Sequence, residues 1–193
     1  MATTPIRKWT PDDYLAFDDE SDIKHEFMNG DIYAMSGGTE RRSIITSNIL
    51  GSLWQSTRHL VSRVYSNQMR VKIDDDTYFY PDVSVVCGKA EFDNEKNLSL
   101  VNPTLIVEVT SKSSESFDKG VKANLYRGLE SVQAYLVVDQ NQLFAQLSTR
   151  QGKGWYLQQF TTRQQAIPLN AIGVDLPMAD VYLDIEFDDV TDK

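Results

Sequence analysis

Cysteine and histidine are nearly absent from this chain: Cys87, His25 and His59 are the whole complement among 193 residues. A single thiol excludes an intramolecular disulfide and any zinc site built on a cysteine cluster. Two histidines are too few for a histidine-rich metal site. No apolar run approaches the length that spans a bilayer, and the first residues, MATTPIRKWTPDDY, lack the apolar core of a signal peptide. A cytoplasmic protein with no membrane partner is the expectation. Positive charge is also scarce. Lys+Arg number 19 against 28 Asp+Glu, a net charge of −9, which argues against nonspecific attraction to nucleic acid. What is present suits a globular chain, with 41% hydrophobic and 10% aromatic residues. The length suits one core-bearing domain, expected over residues 1–193.

The charge is unevenly placed. Asp12, Asp13, Asp18, Asp19, Glu20, Asp22, Glu26 and Asp31 crowd the first part of the chain against Lys24, and seven acids follow from Asp175 against Lys193 alone. Between Arg41 and Ile73 there is no acid, only Arg41, Arg42, Arg58, Arg63, Arg70 and Lys72. Two readings stand for this stretch: an ordinary solvated surface, or a face turned toward phosphates with Arg41 and Arg42 among its contacts.

Periodicity and turn chemistry outline an α/β chain with a mixed sheet. WTPDDYLAF begins as a helix, with Thr10 as cap and Pro11 at its first position. HEFMNGDIYAMS is a hairpin turning at Asn29-Gly30. Ser43 to Leu60 is a helix on the spacing of Ile45, Ile49, Leu53 and Leu60. Strands are predicted around Val64–Ile73 and Tyr78–Val86. PTLIVEVTS, Pro103 to Ser111, is a strand apolar enough to be covered on both faces. A helix from about Glu115 to Leu129 follows, with Phe117, Val121, Leu125 and Leu129 on one stripe. VQAYLVVD is then a second buried strand, parallel to the first through a right-handed crossover. Leu143–Thr149 and Trp155–Phe160 read as antiparallel strands, and LPMADVYL as a short edge helix.

Two charged residues interrupt this apolar pattern. TYFYPDVSVVC, Thr77 to Cys87, has a proline that cannot donate to a sheet ladder and then Asp82. Glu108 sits inside LIVEVT, where an unpaired ionised carboxylate costs several kcal/mol. If these strands are neighbours, Asp82 and Glu108 converge on one cation, and two carboxylates with the Val109 carbonyl and waters make a plausible Mg²⁺ (or Mn²⁺) shell. Lys122, at the edge of the following helix's stripe, can reach back to the strand end and hold a water or a phosphate oxygen. Each residue also has a plain structural reading. Asp82 suits a turn after proline, Glu108 an ion pair, and Lys122 a snorkelling stem. Asp118 suits an i,i+4 partner of Lys122, and Tyr126 the core.

YPDVSVVC, PTLIVEVTSKSSESFDKGVKANLYRGLESVQAYLVVD and HEFMNGDIYAMSGGT together resemble the Uma2 family, formerly DUF820, of the PD-(D/E)xK nuclease superfamily. The resemblance covers about Tyr14 to Asp139. It implies the restriction-endonuclease-like fold, a central mixed β-sheet flanked by helices, and Mg²⁺-dependent hydrolysis of DNA. Pro81-Asp82 is then the PD and Glu108 the acidic member. The usual third position holds Thr110 instead of lysine, and the family's D-x-x-x-K-x-x-x-Y pattern carries the lysine role to Asp118, Lys122 and Tyr126, ahead of Lys112 in the SKSSES loop. Glu26 matches the family's N-terminal glutamate, an additional ligand or supporting group. Arg42 stands where the family often has histidine. Action as a homodimer is implied by the fold. The competing expectation is a non-catalytic dimeric nucleic-acid-binding or regulatory module on a nuclease scaffold. Three expectations follow: Asp82 and Glu108 on one face, truncation of Lys122 removing activity without loss of fold, and a basic face segregated from the acidic termini.

Overall fold

The computed structural model describes residues 8–35, 37–93, 98–111 and 114–187. Lys112 lies outside the described residues, as do Asp188, Asp189 and Asp192 of the acidic C-terminal run.

Helix α1, Pro11–Glu20, begins in a capping box: the Thr10 hydroxyl accepts from the Asp13 amide and the Asp13 carboxylate accepts from the Thr10 amide. Strands β1, His25–Met28, and β2, Asp31–Ala34, form the expected hairpin. Both turn residues have positive φ, 52° at Asn29 and 86° at Gly30, the combination for which Asn-Gly is suited. A side chain at Gly30 would also meet the Lys8 stem at 2.7 Å. Helix α2 spans Glu40–Thr57, three residues earlier at each end than expected, because Thr39 caps it and accepts from the Arg42 amide. Ile45, Ile49 and Leu53 are buried as their spacing requires, whereas Leu60 lies beyond the helix and is exposed.

Strands β3, Ser62–Ser66, and β4, Arg70–Asp74, follow. The expected single strand Tyr78–Val86 is two: β5, Thr77–Phe79, and β6, Val83–Cys87. They belong to different sheets. Pro81 is the physical reason, since it cannot continue a ladder. The amide of Tyr80 finds its acceptor in the Glu26 carboxylate, at 3.2 Å. Pro81-Asp82 therefore marks the place where the chain crosses from one sheet to another.

A short β7, Ser99–Leu100, precedes β8, Leu105–Thr110. The next helical stretch is composite: α3, Glu115–Phe117, a π-helical turn at Asp118–Lys122, and α4, Ala123–Gly128. Strands β9, Ala134–Asp139, β10, Ala145–Gln151, and β11, Gly154–Phe160, come next. Then β12, Ala166–Leu169, a 3₁₀ turn at Asn170–Ile172, β13, Val174–Pro177, and α5, Met178–Val181, complete the described elements. One sheet runs β2-β1-β5-β4-β7. The larger runs β11-β10-β9-β8-β6-β3, with β8 and β9 parallel as expected and β6 antiparallel to β8.

Every residue of β8 and β9 is buried, which accounts for their continuous apolar character. Alternation assigns their two faces. Leu105, Val107 and Val109 join Ile45, Ile49 and Leu53 of α2 in one core cluster. Ile106, Tyr135 and Val137 pack on the other face with Ala123, Tyr126 and Phe79. Glu108 has the parity of Ile106, so it looks into the second layer, toward α4 and the five-stranded sheet.

Candidate active site

Asp82 is one residue before Val83, and Glu108 one after Val107. Val83 and Val107 are paired across the β6–β8 ladder. The ladder ends at that pair, and Asp82, in the bend before β6, is near enough to Glu108 for its charge to act on that carboxyl. The Val109 amide donates to Asp82 Oδ2 at 2.7 Å, fixing that carboxylate against β8. A strand residue directs its N–H and C=O toward the same neighbour, so the Val109 carbonyl is on the Asp82 side as well. Asp82 and Glu108 are 3% and 1% exposed.

The third expected residue is at the same place. Lys122 Nζ donates to Glu26 Oε1 at 2.7 Å and Glu108 Oε1 at 3.2 Å, and lies 3.9 Å from Asp118 Oδ1. It also sits over the Phe79 ring, 5.1 Å from its centroid. Tyr126 donates its hydroxyl to Glu108 Oε1 at 3.3 Å. Glu26, Asp118 and Tyr126 thus join the cluster, Glu26 as the shortest contact of the lysine.

Of the expected apolar stripe, Phe117, Leu125 and Leu129 pack half-buried against the core, and Val121 is the exception. Val121 is 44% exposed, while Asp118, Lys122, Ala123 and Tyr126 face inward. The π turn, an extra residue per hydrogen-bonded ring, rotates the stripe and delivers the polar D-x-x-x-K-x-x-x-Y face to Glu108. The expectation that the Lys122 stem lies at the helix boundary is corrected with it. Lys122 is 6% exposed, and its loss strands buried carboxylates.

Electrostatics follow from burial. Desolvation pushes the Glu108 carboxyl up to about 8; Lys122 opposes this, and Asp82, Asp118 and Glu26 add to it. Desolvation likewise raises Asp118, against Lys122. Burial pulls the Lys122 ammonium down, but Glu108, Glu26 and Asp118 outweigh it and hold the group above the ordinary lysine range. Lys122 is therefore a fixed cation. Its position suits stabilisation of negative charge, and its proton is not readily given up.

Sequence reasoning missed the partner of Asp82. Arg42, at the start of α2, donates from Nε and Nη2 to Asp82 Oδ1 at 3.3 and 3.0 Å, and from Nη2 to Oδ2 at 2.8 Å. Arg42, expected as a DNA contact, has its guanidinium engaged here by the protein's own carboxylate. The signal was available, since Arg42 lies three residues before Ile45 and seven before Ile49, on the inward stripe. Arg42 and Asp82 line a cleft of about 350 Å³ together with Ser43, Thr46, Ser47 and Asn67.

The segregated basic face is corrected too. Arg70, 2% exposed, donates to Asp18 at 2.8 Å, Asp19 at 3.1 Å and Ser99 at 2.9 Å. The Tyr80 hydroxyl and the His25 amide complete the ring around Asp18, at 2.6 and 2.8 Å. Lys72 pairs with Asp75 at 3.0 Å, and Arg41 donates to the Glu186 carbonyl at 3.1 Å. Acids far off in sequence thus fold onto two of the six cations, Arg42 and Arg70, and a nearby one onto Lys72.

The donor set fits a divalent cation. Asp82, Glu108 and the Val109 carbonyl are hard oxygen donors of the kind Mg²⁺ and Mn²⁺ take. Four carboxylates, Asp82, Glu108, Glu26 and Asp118, meet two cations, Arg42 and Lys122, leaving two negative charges in excess. Desolvation is the first cause of the rise of the Glu108 carboxyl, and the neighbouring carboxylates add to it. The cluster is sparse, however, and no group of three or more His, Cys, Asp or Glu is disposed as a ligand set among the described residues.

Comparison with known proteins points one way. The family model "Uma2: Putative restriction endonuclease" matches residues 11–179. The uncharacterized protein sll1609 of Synechocystis sp. is 33% identical over 141 residues, 72% of this chain and 78% of that one. A second Synechocystis protein, slr1290, also described as uncharacterized, is 27% identical over 186 residues, 96% of this chain and 97% of that one. Among solved structures, a "putative nuclease belonging to DUF820" from Anabaena variabilis superposes with a TM-score of 0.70 at 18% identity, covering 90% of this chain and 97% of that one. The restriction-endonuclease-like fold is shared.

Proposed function

This chain belongs to the Uma2 family, and on that premise we propose that it is a divalent-metal-dependent nuclease that hydrolyses phosphodiester bonds of DNA. The observation that supports the reading is Lys122 hydrogen-bonded to Glu108, with Asp82 close by and held by the amide of Val109, the residue after Glu108. Asp82, Glu108 and the Val109 carbonyl would hold Mg²⁺ or Mn²⁺. Bound there, the cation supplies acidification of water and compensation of phosphate charge.

The chain's own residues do the rest. The Val109 amide holds Asp82 in place. The Tyr126 hydroxyl and Lys122 both hold Glu108 Oε1. Glu26, itself anchored by the Tyr80 amide, fixes the ammonium. Lys122 keeps its proton and supplies a positive charge beside the carboxylates, where preorganised charge is most effective. Two copies acting together would suit cleavage of both strands, and sedimentation of the protein with a duplex checks this.

The test is a cleavage assay on DNA of varied sequence with Mg²⁺ or Mn²⁺. Cleavage that Glu108→Ala reduces to background supports the reading. One observation favours a second reading, a non-catalytic nucleic-acid-binding or regulatory module: Arg42 already occupies Asp82. Such a protein would bind DNA without cleaving it under any divalent metal, and Glu108→Ala would leave binding unchanged.

A further inference from the structure

We infer that Arg42 is an internal counter-ion that excludes the divalent cation from Asp82, so that metal enters only as the guanidinium leaves. The inference rests on reading Asp82 and Glu108 as a metal site, and it concerns what controls that site.

The argument is one of lone pairs. A carboxylate offers about four acceptor positions. Asp82 Oδ1 accepts from Arg42 Nε and Nη2, and Oδ2 accepts from Arg42 Nη2 and the Val109 amide. Three donor nitrogens, two of Arg42 and one of Val109, thus cover both oxygens. The Val109 amide belongs to β8, inside the larger sheet, and cannot withdraw. Arg42 can, because it is carried on a flexible stem in the first turn of α2 and its side chain is 28% exposed.

The guanidinium also has somewhere to go. It lines the adjoining cleft, where Ser43, Thr46, Ser47 and Asn67 present oxygen acceptors. Thr46 Oγ1 is buried there without a hydrogen-bond partner among the described residues. A bidentate guanidinium–carboxylate pair is among the stronger charge-assisted contacts, so displacing it subtracts directly from metal affinity. The same exchange leaves the local charge in order. The metal takes the carboxylate, and the released cation faces the cleft, where an anionic substrate group would meet it.

The experiment is calorimetric titration of the full chain with Mn²⁺, without DNA. Wild type, Arg42→Gln, Arg42→Lys and the double variant Arg42→Gln/Asp82→Asn are compared, each first shown folded by circular dichroism. The expected result is a Kd for Mn²⁺ roughly tenfold lower in Arg42→Gln, equivalent to about 1.4 kcal/mol. Arg42→Lys should fall in between, since an ammonium offers Asp82 a point charge without the fork. The double variant should lose the gain. Binding in wild type that is unchanged or weakened in both single variants overturns the inference and leaves the metal-site reading standing. No binding by any of the four proteins overturns both.

Discussion

Replacing Lys122 by methionine tests the electrostatic account of the site most severely. The substitution keeps the length of the stem and its contact with Phe79 while removing the charge. Glu26 loses its 2.7 Å partner, Glu108 its 3.2 Å partner, and Asp118 its neighbour at 3.9 Å. Breaking a buried ion pair by removing one member costs about 3–5 kcal/mol, because the remaining charge stays desolvated. In a chain of this size that corresponds to a fall of about 6–20 °C in Tm. The cost must depend on pH. In the folded protein the Glu108 carboxyl titrates near 8, against 4.5 ordinarily. Between those values the folded state holds a proton that the unfolded chain has released, so stability falls as pH rises through the window. Lys122 opposes that rise. Without it the carboxyl moves further up and the window extends to higher pH. The gap between wild type and Lys122→Met should therefore be nearly constant from about pH 5 to 7 and wider at about pH 9, where wild-type Glu108 has released its proton and the variant's has not. Thermal unfolding followed by circular dichroism at about pH 6 and about pH 9, without added metal, measures it. A loss below about 2 °C at about pH 9, or equal losses at about pH 6 and about pH 9, would refute the claim that Lys122 neutralises a buried acidic cluster.

Glu108→Gln should flatten the dependence of Tm on pH between 4.5 and 8, while abolishing both Mn²⁺ binding and any cleavage. Arg70→Met should destabilise the chain by about 3–5 kcal/mol in denaturant unfolding, since it strands Asp18. Its effect on the salt dependence of DNA binding should be nil, because Arg70 never meets solvent. Exposed Arg58 and Arg63 remain from the basic segment; if both contact phosphates, affinity should drop about tenfold between 50 and 200 mM salt, and the double alanine variant should lose that slope.

What could be read from the chain itself was whatever local pattern dictates. Asn29-Gly30 needs two positive φ values and makes its turn with no help from elsewhere. LIVEVT and AYLVVD are apolar because both faces are covered, and the helix between them fixes a parallel pair. Within those strands a carboxylate is conspicuous, so Glu108 and the Asp82 behind Pro81 were legible as a site, and D-x-x-x-K-x-x-x-Y put Lys122 beside them. Tertiary structure decided who pairs with whom. Arg42 looked like a free cation until α2 docked and presented it to Asp82, forty residues away. Arg70 looked like part of a basic surface until α1 laid Asp18 and Asp19 against it. Pro81 predicted a break, but only the packing of two sheets showed that the break is a crossing between them, with Glu26 receiving the stranded Tyr80 amide. Hydrophobic periodicity reports which face a segment buries. It is silent on ion pairs, whose energy depends on distances between segments that no local pattern encodes.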